Sequence, residues 1–132
     1  MLLYGDMPLL LAASLRRLCA AQAQRGGLAM LTAEPEKPRG FGRIVRAENG
    51  SVSGIVEEKD ASEAQRAIRE VNLGVYAFDG GDLVRLLPRL SNRNAQGEYY
   101  VTDLVGMLVA EQRPVQSLVL EDRREAIGVN TL

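Results

Sequence analysis

Polar residues that could do chemistry follow several apolar, strand-like runs of the sequence. They are an aspartate, a charged cluster and two asparagines, namely Asp6, Glu57 with Glu58 and Lys59, Asn72 and Asn130. In an open α/β sheet, ligands bind beyond the carboxyl ends of the strands, so polar residues there are candidate site residues. Each also has a purely structural interpretation, because Asp and Asn often hydrogen-bond to nearby backbone and a short charged run is often a solvated turn.

The residue types that are present limit the chemistry. The 132 residues contain no histidine, which excludes Ser-His triads and zinc sites built on imidazole. Catalysis would therefore have to use carboxylates, amides, backbone N–H groups, Lys and Arg, and it would be metal-assisted or purely electrostatic. The single cysteine, Cys19, cannot form an internal disulfide. We expect it to pack in the core beside Leu15 and Leu18.

Composition and charge exclude several classes of protein. The chain has 16 Lys and Arg against 17 Asp and Glu, whereas nucleic-acid and anionic-membrane surfaces require clustered excess positive charge. With 46% hydrophobic and 25% charged residues, it is typical of one globular domain. Its apolar stretches are shorter than the roughly 18 residues of a membrane span, and no signal peptide is recognisable. We expect a cytoplasmic protein that binds neither nucleic acid nor membrane.

Hydrophobic periodicity predicts an α/β fold that would position the candidate residues. A strand over Met1 to Tyr4, a helix over 10–24 and a strand over 28–33 form the unit that builds a parallel sheet. Asn49-Gly50 between two strand-like runs predicts an antiparallel hairpin. The other predicted elements are helices over 62–70, with Ser62 as its N-cap, 82–90 and 99–112, and strands over 71–78 and 115–120. The expected fold is a doubly wound, mostly parallel sheet with an antiparallel hairpin.

Six blocks of sequence carry a family resemblance in matching order and spacing. They are LLYGDMPLL, GFGRIVR, ENGSVSGIVEEKDA, EVNLGVYAFDG, NAQGEYYVTD and EAIGVN. The chain resembles the later part of the N-terminal pyrophosphorylase domain of the bacterial bifunctional N-acetylglucosamine-1-phosphate uridyltransferases. The resemblance implies a fold of the nucleotide-diphospho-sugar transferase type. It also implies synthesis of UDP-N-acetylglucosamine and pyrophosphate from UTP and N-acetylglucosamine 1-phosphate with Mg²⁺, for peptidoglycan and lipopolysaccharide.

The resemblance also implies roles for individual residues. Asp6 and Asn130 match the two residues that hold the metal. Tyr4 and Gly5 complete a triplet with Asp6 that contacts substrate. Three further positions match residues that contact the N-acetylglucosamine group, namely Gly42, Glu57 and Asn72. These types suit the chemistry, because Mg²⁺ prefers oxygen ligands and keeps several waters, and a sugar phosphate needs no protein base in order to attack.

Departures from the family pattern suggest a partial domain. Nothing in the sequence matches the glycine-rich nucleotide loop that precedes the YGD strand in the family, or the C-terminal acetyltransferase domain. Leu73 also stands where a threonine is common. We therefore expect residues 1–132 to form a nucleotidyltransferase domain that is incomplete at its N-terminus and inactive alone. The alternatives are a non-catalytic module that binds sugar nucleotides and a relative acting on another sugar phosphate.

If the domain is incomplete at its N-terminus, the strand that ends at Tyr4 lies at an edge of the sheet. It would form an exposed apolar edge with unpaired N–H and C=O groups, and such edges template pairing with other chains. We expect self-association through Met1 to Tyr4.

Overall fold

A computed structural model describes residues 1–128, and these residues form six strands and four helices. The strands are β1 (Leu2–Leu3), β2 (Leu28–Ala33), β3 (Arg43–Arg46), β4 (Val52–Val56), β5 (Val71–Phe78) and β6 (Val115–Val119). The helices are α1 (Ala12–Arg25), α2 (Glu63–Arg66), α3 (Gly80–Leu86) and α4 (Asp103–Ala110). Short 3-10 turns cover Leu87–Arg89 and Arg123–Ala126.

The strands form one mixed sheet in the order β4-β3-β5-β2-β6, with β1 also paired to β5. Only β2 and β6 pair in parallel, and the other four pairings within residues 1–128 are antiparallel. The α/β class and the hairpin are as predicted, but the expectation of mostly parallel pairing is wrong. β1 and β2 do run in the same direction, but β5 lies between them in the opposite direction.

Both faces of the sheet are covered, as a doubly wound fold requires. Every residue of β2 is buried, which is the pattern of a central strand with apolar layers on both sides. Ala29, Leu31 and Ala33 face the cluster that contains Leu18 of α1. Leu28 and Met30 face the opposite cluster, which includes Leu104, Val105 and Leu108 of α4 and Leu86 of α3.

Helix α1 buries a narrower stripe than its sequence indicates. Ser14 and Leu18 are its buried residues. Cys19 is exposed, with its sulfur 3.9 Å from that of Met1, so the prediction that it packs in the core is wrong. Successive residues on a helix are separated by about 100°, so Cys19 lies well off the line of Leu18.

Two local signals in the sequence are confirmed. The hairpin turn contains Asn49 and Gly50, where Gly50 has φ +82° and the Asn49 side chain accepts hydrogen bonds from Ser51. Ser62 is the N-cap of α2 and forms a capping box with Gln65. Both signals depend on residues close in sequence, which is why they can be recognised without the rest of the fold.

None of the helices in residues 1–128 has the length and hydropathy needed to cross a bilayer.

Candidate functional site

A cavity of about 330 Å³ opens at the edge of the sheet where β2 ends and β5 begins. Its walls come from the segment after β1, the loop before β3, the end of β4, the start of β5 and the loop before α4. The lining residues are Tyr4, Asp6, Met7, Arg39, Gly40, Phe41, Gly42, Glu57, Asn72, Leu73, Gly74, Gln96, Glu98, Tyr100 and Gly128.

The cavity brings together most of the candidate residues of the sequence analysis. Of the seven residues to which the family resemblance gives a role, five line it, namely Tyr4, Asp6, Gly42, Glu57 and Asn72. Gly5 is not among the lining residues. Asn130 lies outside the described residues, although Gly128, two positions earlier in the chain, lines the cavity. Glu58 and Lys59 instead line an adjoining cavity of about 500 Å³, together with Arg39, Arg66 and others.

Asn72 lies at this edge of the sheet, but not at the carboxyl end of a strand as predicted. It is the second residue of β5 rather than a residue beyond the carboxyl end of a strand. Because β5 is antiparallel to β1 and β2, its amino end lies where their carboxyl ends lie. The β3–β4 hairpin begins at the same edge of the sheet, because the backbone N–H of Asn72 donates a hydrogen bond to the carbonyl of Gly42, just before β3, at 2.9 Å.

The position of the Glu57 carboxylate in the cavity wall depends on Thr102 and Gly42. Its Oε1 accepts a hydrogen bond from the hydroxyl of Thr102 at 2.9 Å. A Cβ at Gly42 would lie 3.3 Å from Glu57 Oε1 and 2.9 Å from Ile55 Cγ2. Gly42 therefore leaves room for the Glu57 carboxylate, and Thr102 orients it. Its second oxygen remains as an acceptor for a ligand hydroxyl.

Asn72 and Tyr76 form a polar pair beneath the cavity. The Nδ2 group of Asn72 donates to the Tyr76 hydroxyl at 2.7 Å, and the backbone N–H of Gly74 donates to Asn72 Oδ1 at 3.2 Å. Gly74 adopts φ +70°, and the Tyr4 ring packs directly on its Cα. This conformation belongs to a bulge in β5, opposite Met30 to Thr32 of β2.

The tyrosine hydroxyls at the site stay protonated well above neutral pH. Burial, with the charges of Glu57 and Asp6 nearby, raises the pKa of Tyr4 above its ordinary value of 10.0. Burial, with the adjacent Tyr4 hydroxyl, raises the pKa of Tyr76 further. The two rings meet edge to face, with centroids 6.5 Å apart. Both tyrosines are therefore neutral hydrogen-bonding groups at physiological pH.

Asp6 is one of three carboxylate residues in the cavity lining, with Glu57 and Glu98, and it is the one that the family resemblance assigns to the metal. Within residues 1–128 there is no cluster of three or more His, Cys, Asp and Glu side chains that could hold a metal. Mg²⁺ bound through substrate phosphates does not need one, because it usually takes one or two carboxylates and keeps waters. Asp6 offers one carboxylate at the cavity wall, and the chain returns beside it at Gly128, where a Cβ would lie 3.7 Å from the Asp6 carbonyl oxygen.

The loop before α4 supplies lining residues that strand-end reasoning did not identify. Gln96, Glu98 and Tyr100 reach the cavity from this loop. Asp60 accepts the backbone N–H of Ala95 at 2.8 Å, and Gln96 donates to the Tyr100 hydroxyl at 2.7 Å. Periodicity assigns no fixed position to such a loop. The signal that pointed to it is the block NAQGEYYVTD.

The fold of the chain is that of the sugar nucleotidyltransferases. A solved structure of a putative glucose-1-phosphate thymidylyltransferase from Bacillus anthracis, in complex with a sucrose, superposes with a TM-score of 0.61. It is 16% identical, and the match covers 81% of this chain and 41% of that one. The nucleotide-diphospho-sugar transferase fold is therefore confirmed.

The comparison with curated proteins is more specific. The bifunctional protein GlmU of Bordetella petrii is 51% identical over 131 residues, which is 99% of this chain. The chain spans 28% of the length of that relative. No protein-family model matches. The resemblance found in the sequence is confirmed: over 99% of its length the chain is similar to part of a bifunctional protein GlmU, and its fold is that of a nucleotidyltransferase.

Proposed function

We propose that residues 1–132 form part of a nucleotidyltransferase domain that carries the sugar-binding and metal-binding side of an N-acetylglucosamine-1-phosphate uridylyltransferase. The observation that carries the proposal is the grouping of Tyr4, Asp6, Gly42, Glu57 and Asn72 around one cavity. The reaction joins UTP and N-acetylglucosamine 1-phosphate into UDP-N-acetylglucosamine and pyrophosphate. The product is a precursor for peptidoglycan and lipopolysaccharide, and the proposal places the chain in the cytoplasm.

The reaction suits a site without an imidazole. A phosphate oxygen of the sugar phosphate attacks the α-phosphorus of UTP, the bond to the bridging β-phosphate oxygen breaks, and pyrophosphate leaves. The nucleophile is already an anion, so the protein contributes position and charge neutralisation rather than a base. When bound, Mg²⁺ would neutralise phosphate charge, and Asp6, with Asn130, would hold it.

The sugar would be oriented by groups of opposite hydrogen-bonding character. The free oxygen of Glu57 accepts from a hydroxyl, and the Asn72 amide donates. Gly42 allows the backbone to approach the ligand, because it has no side chain. A charge-assisted hydrogen bond contributes roughly 1.5–3 kcal/mol, so Glu57 is the largest single contributor in this account.

Binding is the first test. We expect UDP-N-acetylglucosamine to bind weakly, with Kd on the order of 1 mM, and more tightly than UTP, because the sugar side is present and no glycine-rich triphosphate loop occurs in these 132 residues. Glu57→Ala should weaken binding beyond detection, whereas Glu48→Ala, in the exposed hairpin turn, should leave it unchanged. Calorimetric or NMR titration measures both. Tighter binding of UTP than of the sugar nucleotide would contradict the proposal.

Turnover by the 132-residue chain alone is expected to be at background. Binding and neutralising the triphosphate supplies most of the barrier reduction in this kind of chemistry, and a metal alone does not replace it. The measurement is pyrophosphate release with UTP, Mg²⁺ and N-acetylglucosamine 1-phosphate. Release that Asp6→Ala abolishes would show this expectation to be wrong.

Self-association is proposed through the edge strand β1. Among the described residues it pairs only with β5, and Met1, Leu3 and Tyr4 are 64%, 43% and 45% exposed. Pairing of two such edges would satisfy backbone groups and cover apolar area. Light scattering over a dilution series should show a concentration-dependent dimer that Leu3→Lys disrupts and Val84→Lys, on the exposed face of α3, does not. A monodisperse wild-type monomer at micromolar concentration would refute the proposal.

A further inference from the structure

The orientation of the Asn72 side chain is set from below the cavity. Its Oδ1 faces the backbone N–H of Gly74, and its Nδ2 faces the Tyr76 hydroxyl. Asn72 is 6% exposed and Tyr76 is fully buried. A buried backbone N–H requires an acceptor, so the amide oxygen must be the atom that points to Gly74. Rotation by 180° would place the amide nitrogen against that N–H and leave two donors facing each other.

Tyr76 secures the other end of the amide. Its hydroxyl oxygen accepts from one Nδ2 hydrogen at 2.7 Å, and burial keeps the phenol protonated because it raises its pKa. The ring is fixed by packing against Tyr4 and Phe78, with centroid distances of 6.5 and 5.6 Å. Within residues 1–128, the second Nδ2 hydrogen has no protein acceptor. It is the polar hydrogen that Asn72 has left for a ligand in the cavity that it lines.

We infer that Tyr76 is a positioning residue for Asn72, and that together with the Gly74 bulge it makes Asn72 a donor toward the cavity. The ligand group at this position must then be a hydrogen-bond acceptor, such as a carbonyl or hydroxyl oxygen. The part of the inference that concerns the ligand rests on the proposed function, whereas the orientation of the amide does not. Tyr76 is not among the residues that line the cavity, so it would affect a ligand through the side chains that it positions rather than by direct contact.

Tyr76→Phe is the test, because it removes one oxygen and keeps the ring contacts. In NMR spectra of ¹⁵N-labelled protein, we expect one Asn72 Nδ2 hydrogen of the wild type to exchange slowly with water. The substitution should accelerate that exchange at least tenfold. It should also weaken UDP-N-acetylglucosamine binding about fivefold, the equivalent of one hydrogen bond of about 1 kcal/mol, and should have no further effect in an Asn72→Ala background. Tyr99→Phe, at a side chain that is 68% exposed, is the matched control.

If Tyr76→Phe does not fold, Asn72→Asp tests the same orientation of the amide. In Asn72→Asp, the carboxylate can accept from both Gly74 N–H and a rotated Tyr76 hydroxyl, so the strand is preserved, but no donor faces the cavity. We expect the folded variant to lose sugar-nucleotide binding. Unchanged exchange in Tyr76→Phe, or wild-type affinity in Asn72→Asp, would overturn the inference. Absence of binding to the wild type, with slow amide exchange retained, would instead count against the proposed function alone.

Discussion

Gly74→Ala is expected to lower the Tm by roughly 7–18 °C, the largest effect we anticipate for a single added methyl group. Gly74 has φ +70°, which costs a residue with a Cβ about 1–2 kcal/mol. The added Cβ would also overlap the Tyr4 ring, and overpacking of this kind costs about 1–3 kcal/mol. A total of roughly 2–5 kcal/mol corresponds to that range of Tm for a domain of this size. Thermal unfolding followed by circular dichroism measures it.

Two further variants separate the two causes. Gly50 has φ +82° and no atom near its would-be Cβ, so Gly50→Ala should show the cost of the backbone conformation alone. Adding Tyr4→Ala to Gly74→Ala removes the overlap, and the loss caused by the glycine substitution should then fall to that of Gly50→Ala. Equal losses for Gly74→Ala and Gly50→Ala in the wild-type background would show that packing of the Tyr4 ring does not require the glycine.

The elements that were predicted with correct bounds are those whose signals are local. β2 and β5 are apolar runs long enough for one strand, and each was predicted over the residues it occupies, 28–33 and 71–78. The predicted helix over 99–112 is shorter at both ends, since α4 covers Asp103–Ala110. At the C-terminal end, Gln112 has φ +55°, which is not a helical conformation, and periodicity alone does not show where a helix ends.

Strand partners and the cavity loop could not be predicted in the same way. Periodicity says that a strand is buried on both faces, but not which neighbour it pairs with, so the antiparallel position of β5 between β1 and β2 was missed. That position is also why Asn72 reaches the site from the start of its strand. The loop that carries Gln96 and Tyr100 is held by contacts with distant residues, such as Asp60 with Ala95, and these have no local signature.

The N-terminus of α1 depends on another such distant contact. Its N-cap residue, Leu11, provides no side-chain cap. The cap is instead Glu125, whose Oε2 accepts from the Leu11 N–H at 2.9 Å and whose Oε1 accepts from the Ser14 hydroxyl at 3.1 Å. Glu125 is 5% exposed. A carboxylate at a helix N-terminus is also favoured by the helix dipole. Through these two hydrogen bonds, the Glu125 side chain connects the 3-10 turn at Arg123–Ala126 to the start of α1.

Glu125→Ala is therefore expected to reduce the free energy of unfolding by about 2–4 kcal/mol, because it removes the cap from the part-buried Leu11 N–H and leaves the buried Ser14 hydroxyl without a partner. Glu125→Gln retains one acceptor and should lose about 1 kcal/mol. Glu121→Ala is the control: its side chain is 85% exposed and pairs with Arg17 at 3.4 Å, a contact that contributes less than about 1 kcal/mol. Urea denaturation measures all three. If Glu125→Ala were no more destabilising than Glu121→Ala, the long-range cap would not stabilise α1.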